Sequence, residues 1–209
     1  MDSDDIALPA RFERQFSFME EHPEVIVCGS NVEYFGARAG RSHNKIESMD
    51  LYRAQMLFCN PGPYHPTAFM NRELLRRYQL EYDESLIYYQ DYCLWSEASW
   101  YWEICILEDV LLRYRVHAAQ ISTAHRERQL LCGRVIQKRL LEELLGSVTE
   151  EELNIHCQFA CGHIDDAAVK EEMLKWFDHL AEANDRVGIY DKTAFETFIN
   201  EMKLSLFEM

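Results

Sequence analysis

The stretch VIVCGSNVEYF, at residues 25–35, carries the clearest strand pattern in the chain. β-Branched and aromatic side chains dominate it, which is typical of a buried strand, and Gly29 in its middle favours a bulge. The residues before it predict a helix, because Phe12, Phe16 and Met19 follow one another with helical spacing. A strand that directly follows a helix indicates an α/β protein.

Elements of both kinds continue beyond this strand. We predict a short helix at 49–59, a short buried strand at 65–70, helices at 71–78 and 90–102, and two short strands within 104–116 around a turn at Glu108–Asp109. After about residue 125 the strand patterns end and leucines with helical spacing begin. The chain therefore divides into an α/β part at 1–125 and a helical extension at 126–209.

The extension carries its own helix-start signals. Thr149 with Glu152 forms a capping-box signature, and two amphipathic segments follow at 168–184 and 194–207. Asp191 is the predicted cap of the second of these segments. The extension is therefore predicted to be entirely helical.

The composition excludes several classes of protein. The 209 residues are 48% hydrophobic and 27% charged, as in soluble globular proteins, and the formal net charge of −15 disfavours a nucleic-acid partner. No apolar run reaches the roughly 18 residues of a membrane span, and the N-terminus lacks the layout of a signal peptide. Seven cysteines, mostly among apolar neighbours, predict reduced thiols. We expect a cytoplasmic protein without structural disulfides.

An acidic cluster opens the chain. In an extended backbone Asp2 and Asp4 point to the same side, so their carboxylates can approach one hard cation such as Mg²⁺ or Mn²⁺, with Asp5 as a further candidate ligand. A solvated acidic terminus is the other interpretation of the same residues. The cluster alone does not decide between the two.

Five segments follow one another along the first part of the chain: DSDDIALPARFERQ (2–15), HPEVIVCGSNVEYF (22–35), HPTAFMNRELL (65–75), QDYCLW (90–95) and LLRYRVH (111–117). In their order and spacing they resemble the later half of family-2 glycosyltransferases of the GT-A fold. The resemblance covers roughly residues 1–125, and the helical tail resembles a C-terminal extension of some members. It implies a partial GT-A mixed sheet with flanking helices, followed by an α-helical C-terminal subdomain.

The resemblance also implies a metal site and a catalytic base. Asp2 and Asp4, with Asp5, correspond to the Asp-x-Asp cluster whose Mg²⁺ or Mn²⁺ bridges the donor's diphosphate. Asp91 corresponds to the second residue of a Glu-Asp pair and would act as general base, which leads to inversion at the anomeric carbon. Gln90 stands where the family usually has Glu, so any role of that Glu is in doubt here.

Three further residues correspond to the substrate-binding part of the family. His65 lies in a segment that resembles one close to the donor sugar and the acceptor cleft. Arg115 and His117 resemble an Arg-x-His motif, in which the cation meets the diphosphate and the imidazole completes the metal or phosphate contacts. Trp95 lies on the apolar side of its predicted helix and is interpreted as a core residue.

The implied activity is metal-dependent sugar transfer from a nucleoside diphosphate sugar to the hydroxyl of a glycan or lipid-linked acceptor, with inversion. Family members place a nucleotide-binding half before the acidic turn, so we expect this chain to be a C-terminal portion: a truncated protein or half of a split enzyme. Unpaired sheet edges would then favour an N-terminal-half partner or a homodimer. The Arg-rich segment 126–139 leaves room for peripheral contact at the inner face of a membrane.

Two alternatives belong to other functional classes. A non-catalytic interaction module that keeps the scaffold without donor binding is favoured by Gln90 and by the expected lack of the N-terminal half. A zinc-binding helical module would use His156, Cys157, Cys161 and His163, although their spacing is not a paired C-x2-C arrangement.

Overall fold

The computed structural model describes residues 1–117, 125–159 and 166–208. The strands are β1 (Ile6–Ala7), β2 (Val25–Gly36), β3 (Gly40–Arg41), β4 (Phe69–Met70) and β5 (Glu103–Val116). The helices are α1 (Arg11–Glu21), α2 (Met49–Met56), α3 (Arg72–Arg77), α4 (Gln90–Ala98), α5 (Arg126–Leu145), α6 (Glu150–Gln158), α7 (Ala167–Val187) and α8 (Lys192–Glu208). A 3₁₀ turn spans His65–Thr67. The predicted fold class, a mixed α/β sheet with flanking helices followed by a helical C-terminal part, is confirmed.

The sheet has the strand order β1-β5-β2-β3, and β4 also pairs with β2. The long strands β2 and β5 run parallel, whereas β1, β3 and β4 pair antiparallel with their neighbours. In the β2–β5 register Tyr34 lies opposite Tyr114 and Phe35 lies opposite Arg115. Because side chains alternate along a strand, these pairs alternate between the two faces of the sheet.

The prediction of two strands within 104–116 is wrong, since β5 is one strand. The residues Glu108–Asp109 form a bulge instead of a turn, because Ser30 is paired with Leu107 and the next residue of β2 with Val110. The Asn31 side-chain amide closes this bulge by donating to the Leu107 carbonyl at 3.2 Å. Glu108 and Asp109 therefore do not interrupt β5, which pairs with β2 on both sides of them.

Gly29 is required by close packing against a loop. A Cβ atom at this position would lie 2.1 Å from Cβ of Pro63, a distance that no side chain tolerates. The register shifts near it fall after Ser30 and Asn31. The glycine predicted to mark a bulge thus allows a neighbouring segment to approach β2.

The helical spacing of apolar residues predicted α1 correctly, but it did not predict which face of the helix is buried. Phe12 and Phe16 are 62% and 55% exposed, whereas Arg11 and Gln15 are 4% and 0% exposed. The polar pair is buried because it makes hydrogen bonds with the backbone of neighbouring segments, described below. An apolar stripe therefore does not identify the inner face of this helix.

The chain groups into two compact units. One contains residues 1–49 and 62–132, and the other contains residues 50–61 and 133–209. Residues 50–61 thus group with the C-terminal helices. The predicted division after residue 125 places them in the α/β part, and that division stays a prediction. Within the described ranges, no helix is both long and apolar enough to cross a membrane.

The core of the helical unit is built around Phe58. Its ring lies 4.3 Å from His156, 5.8 Å from Phe177 and 5.5 Å from Phe198, centroid to centroid. The predicted helix starts in this unit are confirmed. The capping box of Thr149 and Glu152 is complete, and the Asp191 carboxylate accepts from the Ala194 amide at 2.9 Å.

His156 is buried with both ring nitrogens in use. Nδ1 accepts a hydrogen bond from the Trp176 indole at 3.1 Å, so the ring proton lies on Nε2 and is donated to the Leu57 carbonyl at 2.8 Å. Neither nitrogen is left for a metal, which speaks against the zinc interpretation. Cys161 and His163, the other half of that interpretation, lie outside the described residues.

We expect the helical unit to lose stability in mild acid because of His156. Burial lowers the pKa of this imidazole to about 4, from 6.5 in an exposed histidine. The unfolded state therefore binds the extra proton first, and the free energy of unfolding falls as the pH drops from 6.5 towards 4, by about 2 kcal/mol at pH 5. Urea unfolding at pH 7 and pH 5 measures this loss.

His156→Gln is the matched variant for this measurement, since its side chain does not titrate. The variant should lose less stability between the two pH values than the unmodified chain, whatever its stability at pH 7. An equal loss in both proteins would show that other groups cause the acid sensitivity.

Six cysteines lie among the described residues, and none of these six is in a disulfide. They are Cys28, Cys59, Cys93, Cys105, Cys132 and Cys157. The seventh, Cys161, lies outside the described residues.

Candidate active site

The pairing of β1 with β5 brings the N-terminal aspartates to the end of the longest strand. The Asp5 carboxylate accepts from the backbone amide of Arg115 at 2.9 Å, and the Asp4 carbonyl accepts from Nε of Arg115 at 3.1 Å. The Asp4 carboxylate lies 3.1 Å from Nε2 of His117. The predicted site residues Asp4 and Asp5 therefore form one cluster with Arg115 and His117, although more than 100 residues separate them in the chain.

The three aspartates of this cluster differ in exposure. Asp2 is exposed and Asp4 is half-buried, whereas Asp5 is 9% exposed. Burial raises the pKa of Asp5, and so do the charges of Asp2 and Asp4, while the hydrogen bond from the Arg115 amide opposes the shift. Oδ2 of Asp5 is buried without a hydrogen-bond partner among the described residues. Asp2 and Asp4 are therefore the carboxylates accessible to a ligand.

These carboxylates fit a hard divalent cation. Mg²⁺ is usually bound through one or two carboxylates together with water and substrate phosphates. Asp2 and Asp4 offer two carboxylates of this kind, whereas Oδ2 of Asp5 is buried and has no hydrogen-bond partner among the described residues. Across the residues that the structure describes, no set of three or more His, Cys, Asp and Glu side chains is arranged to hold a metal ion. A site at this turn would therefore depend on the substrate for its remaining ligands.

Three tyrosines connect the aspartate turn to the His65 turn. Tyr114 stacks on Tyr64 with a centroid distance of 6.1 Å, and the hydroxyls of Tyr34 and Tyr64 are 2.6 Å apart. Burial raises the pKa of Tyr114, and the charges of the three N-terminal aspartates raise it further. Tyr114 therefore lies within the electrostatic range of the acidic turn, while Tyr64 directly precedes His65.

The His65–Thr67 turn is held by the buried polar face of α1. Nη2 of Arg11 donates to the Pro66 carbonyl at 2.7 Å, and its Nε donates to Gln15 at 3.1 Å. Gln15 in turn donates to the carbonyls of Thr67 and Cys28, both at 2.8 Å. Sequence reasoning missed both side chains, although a polar pair spaced four residues apart beside the acidic turn was a usable signal.

His65 and Asp91 share a neighbour in Tyr82. Nε2 of His65 lies 3.0 Å from the Tyr82 hydroxyl. Burial raises the pKa of Tyr82, and the charge of Asp91, in the first turn of α4, raises it further. Trp95 is fully buried, which confirms its interpretation as a core residue. The predicted site residues thus form two groups, the aspartate turn with Arg115 and His117, and the pair His65 and Asp91 around Tyr82.

Sequence comparison relates this chain to the glycosyltransferases. Residues 1–79, which contain the acidic turn, the polar face of α1, β2 and the His65 turn, match the family model described as Glycosyl transferase family 2. The match includes neither Asp91 nor the end of β5. The similarity to this family model thus lies in the first part of the chain.

Particular relatives are described as glycosyltransferases. An uncharacterized glycosyltransferase of Haemophilus influenzae is 25% identical over 158 residues, which cover 71% of this chain and 49% of the relative. An uncharacterized glycosyltransferase of Methanocaldococcus jannaschii is 35% identical over 121 residues, 56% of this chain and 40% of the relative. The amylovoran biosynthesis glycosyltransferase AmsE of Erwinia amylovora is 30% identical over 126 residues, 58% of this chain and 46% of the relative. The chain therefore matches less than half the length of each of these relatives.

Proposed function

We propose that this chain is part of a family-2 glycosyltransferase that moves a sugar from a nucleoside diphosphate sugar to an acceptor hydroxyl, with inversion and with a divalent metal. One observation carries the proposal: the β1–β5 pairing brings Asp4 into contact with both Arg115 and His117. The match of residues 1–79 to the family model and the glycosyltransferase relatives support it. We further propose a glycan or lipid-linked molecule as the acceptor.

The aspartate turn is the proposed donor-diphosphate end of the site. Asp2 and Asp4 would hold Mg²⁺ or Mn²⁺, which when bound neutralises charge on the departing diphosphate. Arg115 is exposed, so its guanidinium can donate to phosphate oxygens, and His117 orients the Asp4 carboxylate. Asp5 accepts a hydrogen bond from the Arg115 amide through one carboxylate oxygen and in this way holds the turn against β5.

Asp91 is the proposed general base on the acceptor side. Its carboxylate takes the proton of the attacking hydroxyl while the hydroxyl oxygen forms a bond to the anomeric carbon. The bond from that carbon to the diphosphate oxygen breaks, and its electron pair leaves with the diphosphate. Attack from the face opposite the leaving group inverts the anomeric centre.

Metal dependence gives the direct test of this proposal. EDTA is expected to abolish sugar transfer and Mn²⁺ to restore it, and Asp4→Asn should weaken the apparent Mn²⁺ affinity by at least about 10-fold. The measurement is transfer from a panel of nucleoside diphosphate sugars, titrated with Mn²⁺. The control is Asp109→Asn, which removes a carboxylate of β5 that is paired with Arg14 at 3.0 Å, away from the turn.

Transfer that survives both EDTA and Asp4→Asn would contradict the metal role of the aspartate turn. A chain that neither transfers sugar nor binds a nucleoside diphosphate with Mn²⁺ would instead support the alternative function, a non-catalytic interaction module. Gln90 favours that alternative, because its amide takes the place of a carboxylate beside Asp91.

A further inference from the structure

Tyr82 is a polar neighbour of both His65 and Asp91. Its hydroxyl is 3.0 Å from Nε2 of His65 and 3.9 Å from Sδ of Met70. The His65 and Tyr82 rings meet edge to face, with centroids 5.7 Å apart, which fixes the plane of the imidazole. Tyr82 is half-buried in the same region as the fully buried Trp95, whose ring is 6.5 Å from that of His65.

The single hydroxyl hydrogen of Tyr82 has two acceptors within reach. An imidazole nitrogen at 3.0 Å is a much better acceptor than a thioether sulfur at 3.9 Å. The charge of the nearby Asp91 and the burial of the ring both oppose ionisation of the phenol, so the hydrogen stays on Tyr82. A hydrogen bond donated by Tyr82 to Nε2 of His65 requires that the neutral imidazole carry its own proton on Nδ1.

We infer that Tyr82 is a positioning residue that holds His65 as the Nδ1–H tautomer, and that His65 donates this N–H to an oxygen of the bound substrate. No hydrogen bond joins Nδ1 to another described residue, and the His65 side chain is half-buried. The two side chains then have different tasks, since His65 donates a hydrogen bond and Asp91 accepts a proton. The contact with substrate rests on the proposed function, whereas the tautomer does not.

The tautomer is measured on the chain itself, without substrate. Nitrogen-15 NMR distinguishes the protonated from the unprotonated ring nitrogen, at a pH where His65 is neutral, and the His65→Asn variant assigns the signals. We expect the Nδ1–H form to predominate in the unmodified chain. Tyr82→Phe, which removes only the hydroxyl, should shift the population mainly to Nε2–H.

Two further variants serve as controls for the Tyr82 substitution. Met70→Leu removes the sulfur and should leave the tautomer unchanged, because the imidazole nitrogen at 3.0 Å is the better acceptor for the Tyr82 hydroxyl. Tyr101→Phe removes the hydroxyl of an exposed tyrosine and should also have no effect. An Nε2–H form in the unmodified chain, or an Nδ1–H form that persists in Tyr82→Phe, would overturn the inference.

The substrate contact has its own readout in sugar transfer. Asparagine places an amide N–H near the position of Nδ1 and glutamine near that of Nε2, so His65→Asn should retain more activity than His65→Gln. The reverse order would contradict donation from Nδ1. If the protein transfers no sugar, the proposed function fails, while the NMR result still decides the role of Tyr82.

Discussion

Replacing Asp91 with asparagine is expected to lower kcat for sugar transfer by about 10²–10⁴-fold, the usual contribution of a general base. The amide has the shape of the carboxylate but cannot take a proton from the acceptor hydroxyl. Asp91 is half-buried in the first turn of α4, where asparagine fits without new strain. Binding of the donor should change little, because the aspartate turn is untouched. Initial rates at saturating donor and acceptor measure the effect.

Asp50→Asn is a suitable comparison for this variant. Asp50 is an exposed carboxylate in the first turn of α2 and pairs with Arg53 at 2.8 Å, so the same change of charge occurs at the same place in a helix. Its activity should equal that of the unmodified protein. Turnover of Asp91→Asn near that level would mean that another group removes the proton.

The largest effect on stability is expected from Gln15→Leu. Gln15 is fully buried, donates to the carbonyls of Cys28 and Thr67, and accepts from Arg11. Leucine fills similar space but satisfies none of these groups, and a buried polar group that loses its partner costs about 1–3 kcal/mol. The free energy of unfolding should therefore fall by about 2–4 kcal/mol, measured by urea unfolding.

Ser17→Leu serves as the control, because it introduces the same side chain at an exposed position of the same helix. Its unfolding free energy should lie within about 0.5 kcal/mol of the unmodified chain. A loss of the same size in both variants would show that leucine in α1, and not the removal of buried hydrogen bonds, lowers the stability.

Local chemistry explains which elements the sequence predicted well. The strand at 25–35 and the capping box of Thr149 and Glu152 depend on residues adjacent in the chain, and both are confirmed. β5 was predicted as two strands because its continuity depends on Asn31, more than 70 residues away, whose amide closes the bulge. A contact of that separation leaves no trace in the local pattern.

Long-range contacts also limited what the sequence predicted about the candidate site. The acidic turn, Asp91, Arg115 and His117 were predicted as site residues because they belong to motifs that resemble a family. Tyr82 was missed because its partner His65 comes from another segment and Tyr82 belongs to none of these motifs. Arg11 and Gln15 lie in the first motif but were missed, because their hydrogen-bond acceptors lie in other segments. On α1 hydrophobicity even pointed to the wrong face, because hydrogen bonding to buried carbonyls outweighed the burial of Phe12 and Phe16.

The parallel pairing of β2 with β5 also determines what kinds of mutation this site can survive. Tyr114 faces the tyrosine cluster while its neighbour Arg115 faces the other side of the sheet. Deleting one residue between Val110 and Tyr114 would turn every following side chain to the opposite face and would move the amide that Asp5 binds. Substitutions between Val110 and Tyr114 therefore keep the geometry of the site, whereas a single insertion or deletion there would disrupt it.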